Sequence, residues 1–213
     1  MHSSRSSMRC GPRIPGRDPV RRCDRPRDGR SPSAWHRPGD SPAPRSRRCG
    51  LGPLVGLPAG EFRRVFDVNV TGTWLVSKAC ASRMLAANVP GRICNVSSQA
   101  GKKAWPMIGT YSAAKAAVIS LTQAMAIELG PSGIAVNAVC PGTVDTDLTN
   151  PNGMFVTMIG GEEGLDAYLA REIPLRRLQT ADEIASAICW LLSDDATGVT
   201  GEAMNVSAGQ TMV

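Results

Sequence analysis

The sequence has no histidine after His36, no two cysteines at C-x-x-C spacing and no long apolar run. Without histidine or paired cysteines, residues 51–213 hold no candidate metal site, and the odd count of seven cysteines argues against a disulfide framework. No run approaches the roughly 20 apolar residues of a membrane span, and the first residues lack the apolar stretch of a secretory signal. We therefore expect a reduced, cytoplasmic setting with no membrane partner.

Residues 1–50 lack lysine but hold 13 arginines, four aspartates and eight of the 16 prolines. They show no hydrophobic period, so they cannot bury enough apolar surface to offset the entropy of ordering, and we predict disorder. Three interpretations are open: an arginine-rich arm for nucleic acid or an acidic partner, an unstructured extension, and a stretch never selected to fold. Residues 51–213 hold 11 basic and 14 acidic residues, so the net charge of +6 belongs to the first segment. We therefore expect no nucleic-acid partner.

From residue 51 onward, amphipathic stretches alternate with short apolar ones. The spacing predicts helices over 61–88, 110–129 and 180–193, and strands over 92–96, 134–139 and 202–206. Residues 143–179 are predicted to be irregular, with room for short helices. This alternation predicts an α/β fold with a Rossmann-like doubly wound parallel sheet. The helix over 110–129 carries little charge around its girth, so one side can face the sheet and the other a partner subunit.

Tyr111 and Lys115 are four residues apart on the helix predicted over 110–129, so their side chains share one face. A free phenol has a pKa of about 10, and a nearby cation lowers the pKa of such a group by favouring the phenolate. The pair therefore suits proton exchange near neutral pH. Taken alone, it also fits an ordinary pair on a helix surface.

Polar residues at the ends of two predicted strands place further candidates near Tyr111. Ser98 follows the strand over 92–96, and the turn 141–146 follows the strand over 134–139. Open α/β sheets bind ligands beyond the carboxyl ends of their strands, so these two segments should converge with Tyr111 between them. Asn95 and Asn137 are expected to hydrogen-bond backbone groups near strand ends. Trp105 lies between Ser98 and Tyr111 in the chain and could touch a substrate.

In this order and at these spacings, the motifs resemble the short-chain dehydrogenase/reductase family. They are Asn-Val-x-Gly at 69–72, Asn-Val-Ser-Ser at 95–98, Tyr-x-x-x-Lys at 111–115 and Pro-Gly-x-Val-x-Thr at 141–146. The resemblance covers about 52–213 and implies hydride transfer between NAD or NADP and a secondary alcohol or ketone. It also implies a homodimer or homotetramer.

The resemblance implies catalytic roles for four residues. Tyr111 would be the general acid/base that exchanges a proton with the substrate oxygen, and Lys115 would assist it and bind the nicotinamide ribose. Ser98 would orient and polarise the substrate oxygen. Asn69 would lie at a helix irregularity and hold a water on the proton path to Lys115.

The same resemblance implies which residues contact the cofactor. Besides Tyr111 and Lys115, these are the residues that line the nicotinamide: Pro141, Gly142, Val144 and Thr146. Segment 147–179 would form the substrate lid. The closing sequence at 204–209 is similar to that of members acting on small diols, polyols and cyclic alcohols, and reduction of 3-oxoacyl thioesters is the other substrate class.

The chain departs from the family at its start. The family opens with a strand and a turn of the type Thr-Gly-x-x-x-Gly-x-Gly that takes the cofactor pyrophosphate, and residues 1–50 contain no such turn. Residues 51–213 thus correspond to the C-terminal catalytic part of an incomplete Rossmann-like domain. An inactive truncated chain, serving at most as an interaction subunit, is the alternative to an enzyme.

Overall fold

A computed structural model describes residues 50–150 and 153–213 of the chain. The arginine-rich segment for which the sequence predicts disorder lies outside the described residues, except for Gly50. Within the described part, three helical stretches and three strands follow the predicted order.

The helix predicted over 61–88 is interrupted by a wider turn. It comprises α1 (Ala59–Phe66), a π-helical segment (Asp67–Thr71) and α2 (Gly72–Ala87). Asn88 ends α2 in the left-handed conformation, with φ of 51°, and its N–H donates to the Leu85 carbonyl. Asparagine tolerates this conformation better than most residues, so it provides the stop that the Pro-Gly pair at 90–91 also enforces.

The strands form one parallel sheet in the order β1-β2-β3, as the alternating pattern predicted. Their bounds are β1 (Gly91–Val96), β2 (Ile134–Pro141) and β3 (Ala203–Val206). Helix α3 (Gly109–Leu129) connects β1 to β2. Between β2 and β3 lie three helices: α4 (Met154–Met158), α5 (Gly161–Glu172) and α6 (Ala181–Leu191).

Helices cover both faces of the sheet. Ile93 of β1 pairs in register with Val136 of β2, and both pack with alanines of α2 and α3 in one buried cluster. Arg92 points to the opposite face, where its guanidinium donates to the Ala196 carbonyl at 3.4 Å, just beyond α6. Because successive strand residues alternate between faces, this arrangement is doubly wound.

One face of α3 is buried and the other is exposed within this chain. The buried face repeats every four residues and comprises Thr110, Ala114, Val118, Thr122 and Ala126. On the other face Ala113 and Ala116 are exposed, and Ile127 is 78% exposed. The described part of the chain therefore covers only one of the two uncharged faces of this helix.

Segment 143–179 is more regular than the sequence predicts, since α5 runs for 12 residues. It begins at Gly161 with Gly160 as its N-cap, and these two glycines adopt φ of 79° and 100°. The glycine pair, which the sequence alone suggests is part of a loop, instead forms the turn at which the helix starts.

Within residues 50–150 and 153–213, no helix has both the length and the apolarity needed to span a bilayer. No group of metal-ligating side chains converges in the same ranges.

Candidate active site

Tyr111 and Lys115 lie one turn apart at the start of α3, as predicted. The Lys115 Nζ is 5.5 Å from the centroid of the Tyr111 ring. It also donates a hydrogen bond of 3.0 Å to the carbonyl of Val96, the last residue of β1. The ammonium thus lies between the phenol and the carboxyl end of β1. Tyr111 itself is half-buried.

Ser98 is fixed by the short 3₁₀ turn that follows β1. Its hydroxyl oxygen accepts from the Ala100 N–H at 3.1 Å and caps the turn Gln99–Gly101. The neighbouring Ser97 hydroxyl donates to the Lys115 carbonyl at 2.7 Å. This bond joins the end of β1 to the turn of α3 that carries Lys115. An oxygen that accepts from backbone keeps its own proton available for a ligand oxygen.

Gly101 lets this turn approach the α3 backbone. A Cβ built on Gly101 would lie 2.7 Å from the carbonyl carbon of Lys115 and 2.9 Å from the backbone nitrogen of Ala116. Both neighbours are helix backbone, which cannot rotate away as a side chain can. The close packing of the turn after Ser98 against the α3 backbone at Lys115 therefore requires glycine at this position.

Asn69 lies in the π-helical segment Asp67–Thr71, at the helix irregularity that the family resemblance implied. The Gly72 N–H donates to the Asp67 carbonyl five residues earlier, which widens the helix there. The Asn69 Nδ2 donates to the Val65 carbonyl at 3.0 Å. The π-helical segment packs against α3. Its bulge thus lies beside the helix that carries Tyr111 and Lys115.

The turn after β2 is clamped to β3 and to Gln179. The Gly142 N–H donates to the Val206 carbonyl at 3.0 Å and to the Gln179 Oε1 at 3.2 Å. Val144 pairs with Gln179 in an isolated parallel bridge. A Cβ on Gly142 would lie 2.8 Å from the Ser207 Cα, so only glycine allows this contact. Pro141 ends β2, and Thr146 donates its backbone N–H to the Thr149 hydroxyl at 2.9 Å.

Four side chains near Ser98 and the turn 141–146 were not predicted from the sequence: Gln99, Tyr168, Gln179 and Gln210. Gln99 donates from Nε2 to the Gln210 Oε1 at 2.7 Å, and Gln210 in turn binds Thr143 and Tyr168. The Ser98 segment and the turn 141–146 are therefore joined by side-chain amides. Gln99 follows Ser98 directly in the sequence, but nothing in the sequence pairs it with a residue 111 positions away.

The two thiols near the strand ends do not compete as nucleophiles. Burial raises the pKa of Cys94 to about 11 and raises the pKa of Cys140 above its ordinary value. Both therefore stay protonated at neutral pH, and a protonated thiol is a weak nucleophile. The reactive groups that remain are the phenol, the ammonium and the Ser98 hydroxyl, a set suited to moving a proton to or from an oxygen.

Comparison with known proteins gives a consistent picture. Residues 45–211 match the sequence model of a family described as enoyl-(acyl carrier protein) reductase. The chain is 39% identical over 167 residues to 2-(S)-hydroxypropyl-CoM dehydrogenase 3 of Xanthobacter autotrophicus, covering 78% of this chain and 63% of that protein. The described part of the chain thus matches dehydrogenases along nearly all of its length, while spanning less than two thirds of that relative's own length.

Two further matches bear on activity and cofactor. The inactive 2-(S)-hydroxypropyl-CoM dehydrogenase 2 of the same organism is 40% identical over 166 residues, covering 78% of this chain and 70% of that protein. Carveol dehydrogenase from Mycobacterium avium, solved in complex with NAD, superposes with a TM-score of 0.71 at 32% identity, covering 75% of this chain and 60% of that one. Both the sequence and the fold therefore match one family.

Proposed function

Because the chain belongs to the short-chain dehydrogenase/reductase family, we propose that it serves hydride transfer between NAD or NADP and a small secondary alcohol or ketone. The observation that carries this proposal is the position of Lys115. Its ammonium is held 3.0 Å from the Val96 carbonyl and 5.5 Å from the Tyr111 ring centroid. A fixed cation beside a phenol stabilises the phenolate, which is the form that can accept a proton from an alcohol.

In this proposal Tyr111 exchanges the proton with the substrate oxygen. Ser98, whose oxygen already accepts from the Ala100 N–H, donates its own proton to the same substrate oxygen and orients it. Lys115 stabilises charge on Tyr111. Asn69, in the helix bulge packed against α3, holds a water that connects Lys115 with solvent and returns the proton.

The residues present fit the nicotinamide end of the cofactor. The donor set of Tyr111 and Lys115 suits ribose hydroxyls, and the turn 141–146 offers a rigid edge at the carboxyl end of β2, where such sheets bind ligands. Gly142 there packs against Ser207 so closely that a Cβ would not fit. When bound, the nicotinamide supplies or accepts the hydride. Pro141, Val144 and Thr146 would line it, and NAD is the first cofactor to test because the carveol dehydrogenase holds NAD.

We propose a small hydroxylated or cyclic alcohol as substrate. The relatives' names support this class, since one acts on a 2-hydroxypropyl group and another on carveol, a cyclic alcohol. Reduction of a 3-oxoacyl thioester is the second candidate. The matching family's description, enoyl-(acyl carrier protein) reductase, supports an acyl thioester as the substrate class, although it names the reduction of a C=C bond rather than of a 3-oxo group. Substrate comparison between cyclic diols and acyl thioesters separates these two.

A non-catalytic role is the alternative to both, and the inactive relative at 40% identity is the observation that favours it. In that case the chain would act as an interaction subunit. In either case we propose that a second copy covers the exposed face of α3, where Ile127 lies open, and forms a homodimer or homotetramer. Sedimentation of the purified chain tests this assembly.

Turnover with NAD and a panel of small alcohols tests the proposed chemistry. Tyr111→Phe removes the proton-exchanging hydroxyl and should lower turnover about a hundredfold to ten-thousandfold, the range for loss of a general acid/base. Ser186→Ala removes an exposed hydroxyl on α6 and should leave turnover unchanged, which makes it the matched control. Equal turnover of Tyr111→Phe and wild type would refute the proposed role of the tyrosine. Absence of turnover in the wild type would support the non-catalytic alternative.

A further inference from the structure

Three side chains from distant segments close a ring of hydrogen bonds beside the candidate site. The Tyr168 hydroxyl of α5 lies 2.9 Å from the Thr143 Oγ1 in the turn after β2. The Thr143 hydroxyl is 3.0 Å from the Gln210 Oε1, and the Gln210 Nε2 reaches back to the Tyr168 hydroxyl. The ring joins the segment that the family uses as a substrate lid to the turn proposed to line the nicotinamide.

The direction of every hydrogen bond in this ring follows from donor chemistry. The backbone N–H of Thr143 can only donate, and it lies 3.2 Å from the Gln210 side chain, so the atom facing it is the amide oxygen. The amide nitrogen then faces Tyr168 and donates to the phenol oxygen. Tyr168 in turn donates to the Thr143 hydroxyl, which donates to the Gln210 oxygen. Each hydroxyl thus both donates and accepts, an arrangement in which neighbouring bonds polarise one another.

The ring extends to the segment that carries Ser98. The Gln99 Nε2 donates to the same Gln210 oxygen at 2.7 Å, and the Gln99 oxygen accepts from the Thr211 hydroxyl at 3.0 Å. Gln99 is buried, so its amide is committed to these partners. Gln210 therefore connects the residue after Ser98, the turn 141–146 and the lid helix at one point.

Tyr168 is held on its lid side by packing. Its ring contacts Phe155 of α4 edge-on, with centroids 5.1 Å apart and an interplanar angle of 76°. Such edge-to-face pairs are a preferred aromatic geometry. The tyrosine thus joins α4 and α5 through its ring and reaches the sheet through its hydroxyl.

We infer that Tyr168 is a positioning residue that fastens the lid helices α4 and α5 to the turn 141–146 and, through Gln210, to the Ser98 segment. These hydrogen bonds connect the helices to the turn whether or not the chain is an enzyme. Their effect on catalysis rests on the proposed function. In that setting, the position of the lid over the substrate is set by the same turn that lines the nicotinamide.

Hydrogen exchange of the full chain without cofactor tests this inference independently of any activity. Tyr168→Phe keeps the ring that packs on Phe155 and removes only the hydroxyl. We expect exchange in residues 154–172 to rise about threefold to tenfold, the range for loss of one neutral hydrogen bond. The Thr143 amide, which donates to Gln210, should also exchange faster, whereas β2 at 134–140 should not change. Tyr111→Phe, which alters the only other tyrosine, should leave 154–172 unchanged.

Four results would overturn the inference. Unchanged exchange of 154–172 in Tyr168→Phe, or the absence of protection there in the wild type, would show that the ring does not hold the lid. Faster exchange confined to 154–172, with the Thr143 amide unaffected, would show that the Tyr168 hydroxyl stabilises only its own helices and does not fasten them to the turn 141–146. Gln210→Leu provides the second variant: combined with Tyr168→Phe, it should raise exchange no further than the larger single effect, and additive effects would contradict the coupling. Failure of NADH to bind would challenge the proposed function but not this result.

Discussion

Replacing Gly101 with alanine would separate the turn that carries Ser98 from α3. The added Cβ would lie 2.7 Å from the carbonyl carbon of Lys115 and 2.8 Å from its oxygen, whereas ordinary contact begins at 3.4 Å. The obstacle is helix backbone, so the turn must retreat by about 0.7 Å or the helix must bend. The Ser97 hydrogen bond to the Lys115 carbonyl spans the same gap and would lengthen.

The loss of stability in Gly101→Ala follows from the rigidity of the turn 99–101 and of helix α3. Overpacking of this kind destabilises proteins by about 1–3 kcal/mol. In a chain of 150–250 residues, each kcal/mol lowers the melting temperature by about 2–4 °C, so Gly101→Ala should melt about 2–12 °C below the wild type.

Thermal unfolding followed by circular dichroism measures this difference. Gly60→Ala is the matched control, because Gly60 lies in α1 with no atom within 4 Å of its added Cβ. Alanine is the better helix former, so this variant should melt at or above the wild-type temperature. A Gly101→Ala variant as stable as Gly60→Ala would refute the close packing of the Ser98 turn on α3.

Three further predictions concern a buried asparagine of β1, two cysteines and an ion pair at the start of α6. Asn95→Leu leaves the buried Ser77 hydroxyl without its acceptor, whereas the Thr122 hydroxyl keeps its hydrogen bond to the Val118 carbonyl. The variant should lose about 1–3 kcal/mol of unfolding free energy in urea, the cost of one unpaired buried group, and an unchanged midpoint would contradict the bridging role of Asn95. A thiol reagent at neutral pH should modify exposed Cys80 but not Cys94, whose pKa burial raises to about 11; peptide mapping that finds both equally labelled would count against this burial. Hydrogen bonding from Arg177 lowers the pKa of Glu183 from 4.5 to about 2, so its contribution to stability is present above pH 4.5 and is lost as the pH falls towards 2. Melting curves across that window should show wild type losing more stability than Glu183→Gln, and parallel losses would argue against the pair.

The sequence predicts those parts of the fold in which a local pattern carries the information. Helix α3 and strands β1 and β2 appear close to their predicted bounds, because periodicity and the Gly-Pro and Pro-Gly breaks are local signals. The 12-residue α5 was missed because it starts at the glycine pair 160–161, and the positive φ values of these glycines can be seen only in the folded chain.

Within the candidate site, the motif residues could be predicted from the sequence, but most of the side chains that hydrogen-bond to the same segments could not. Asn137 binds backbone as expected, through the Val199 carbonyl and the Glu202 N–H. The same expectation for Asn95 was wrong, since its amide bridges the hydroxyls of Ser77 and Thr122, 18 and 27 residues away. Partners on separate helices meet only when both helices pack on one face of the sheet, and no spacing in the sequence encodes that meeting.

The roles of Asn69, Ser98, Tyr111 and Lys115 stay predictions, as do the nicotinamide contacts of the turn 141–146. The most direct test is titration of the purified chain and of Lys115→Met with NADH and NADPH, following nicotinamide fluorescence and the melting temperature together. We expect saturable binding by the wild type with a raised melting temperature. Lys115→Met should bind at least about tenfold more weakly, because one charged hydrogen bond to the ribose is lost. No saturation by either cofactor at millimolar concentration, or equal binding by the two proteins, would contradict the proposed cofactor site.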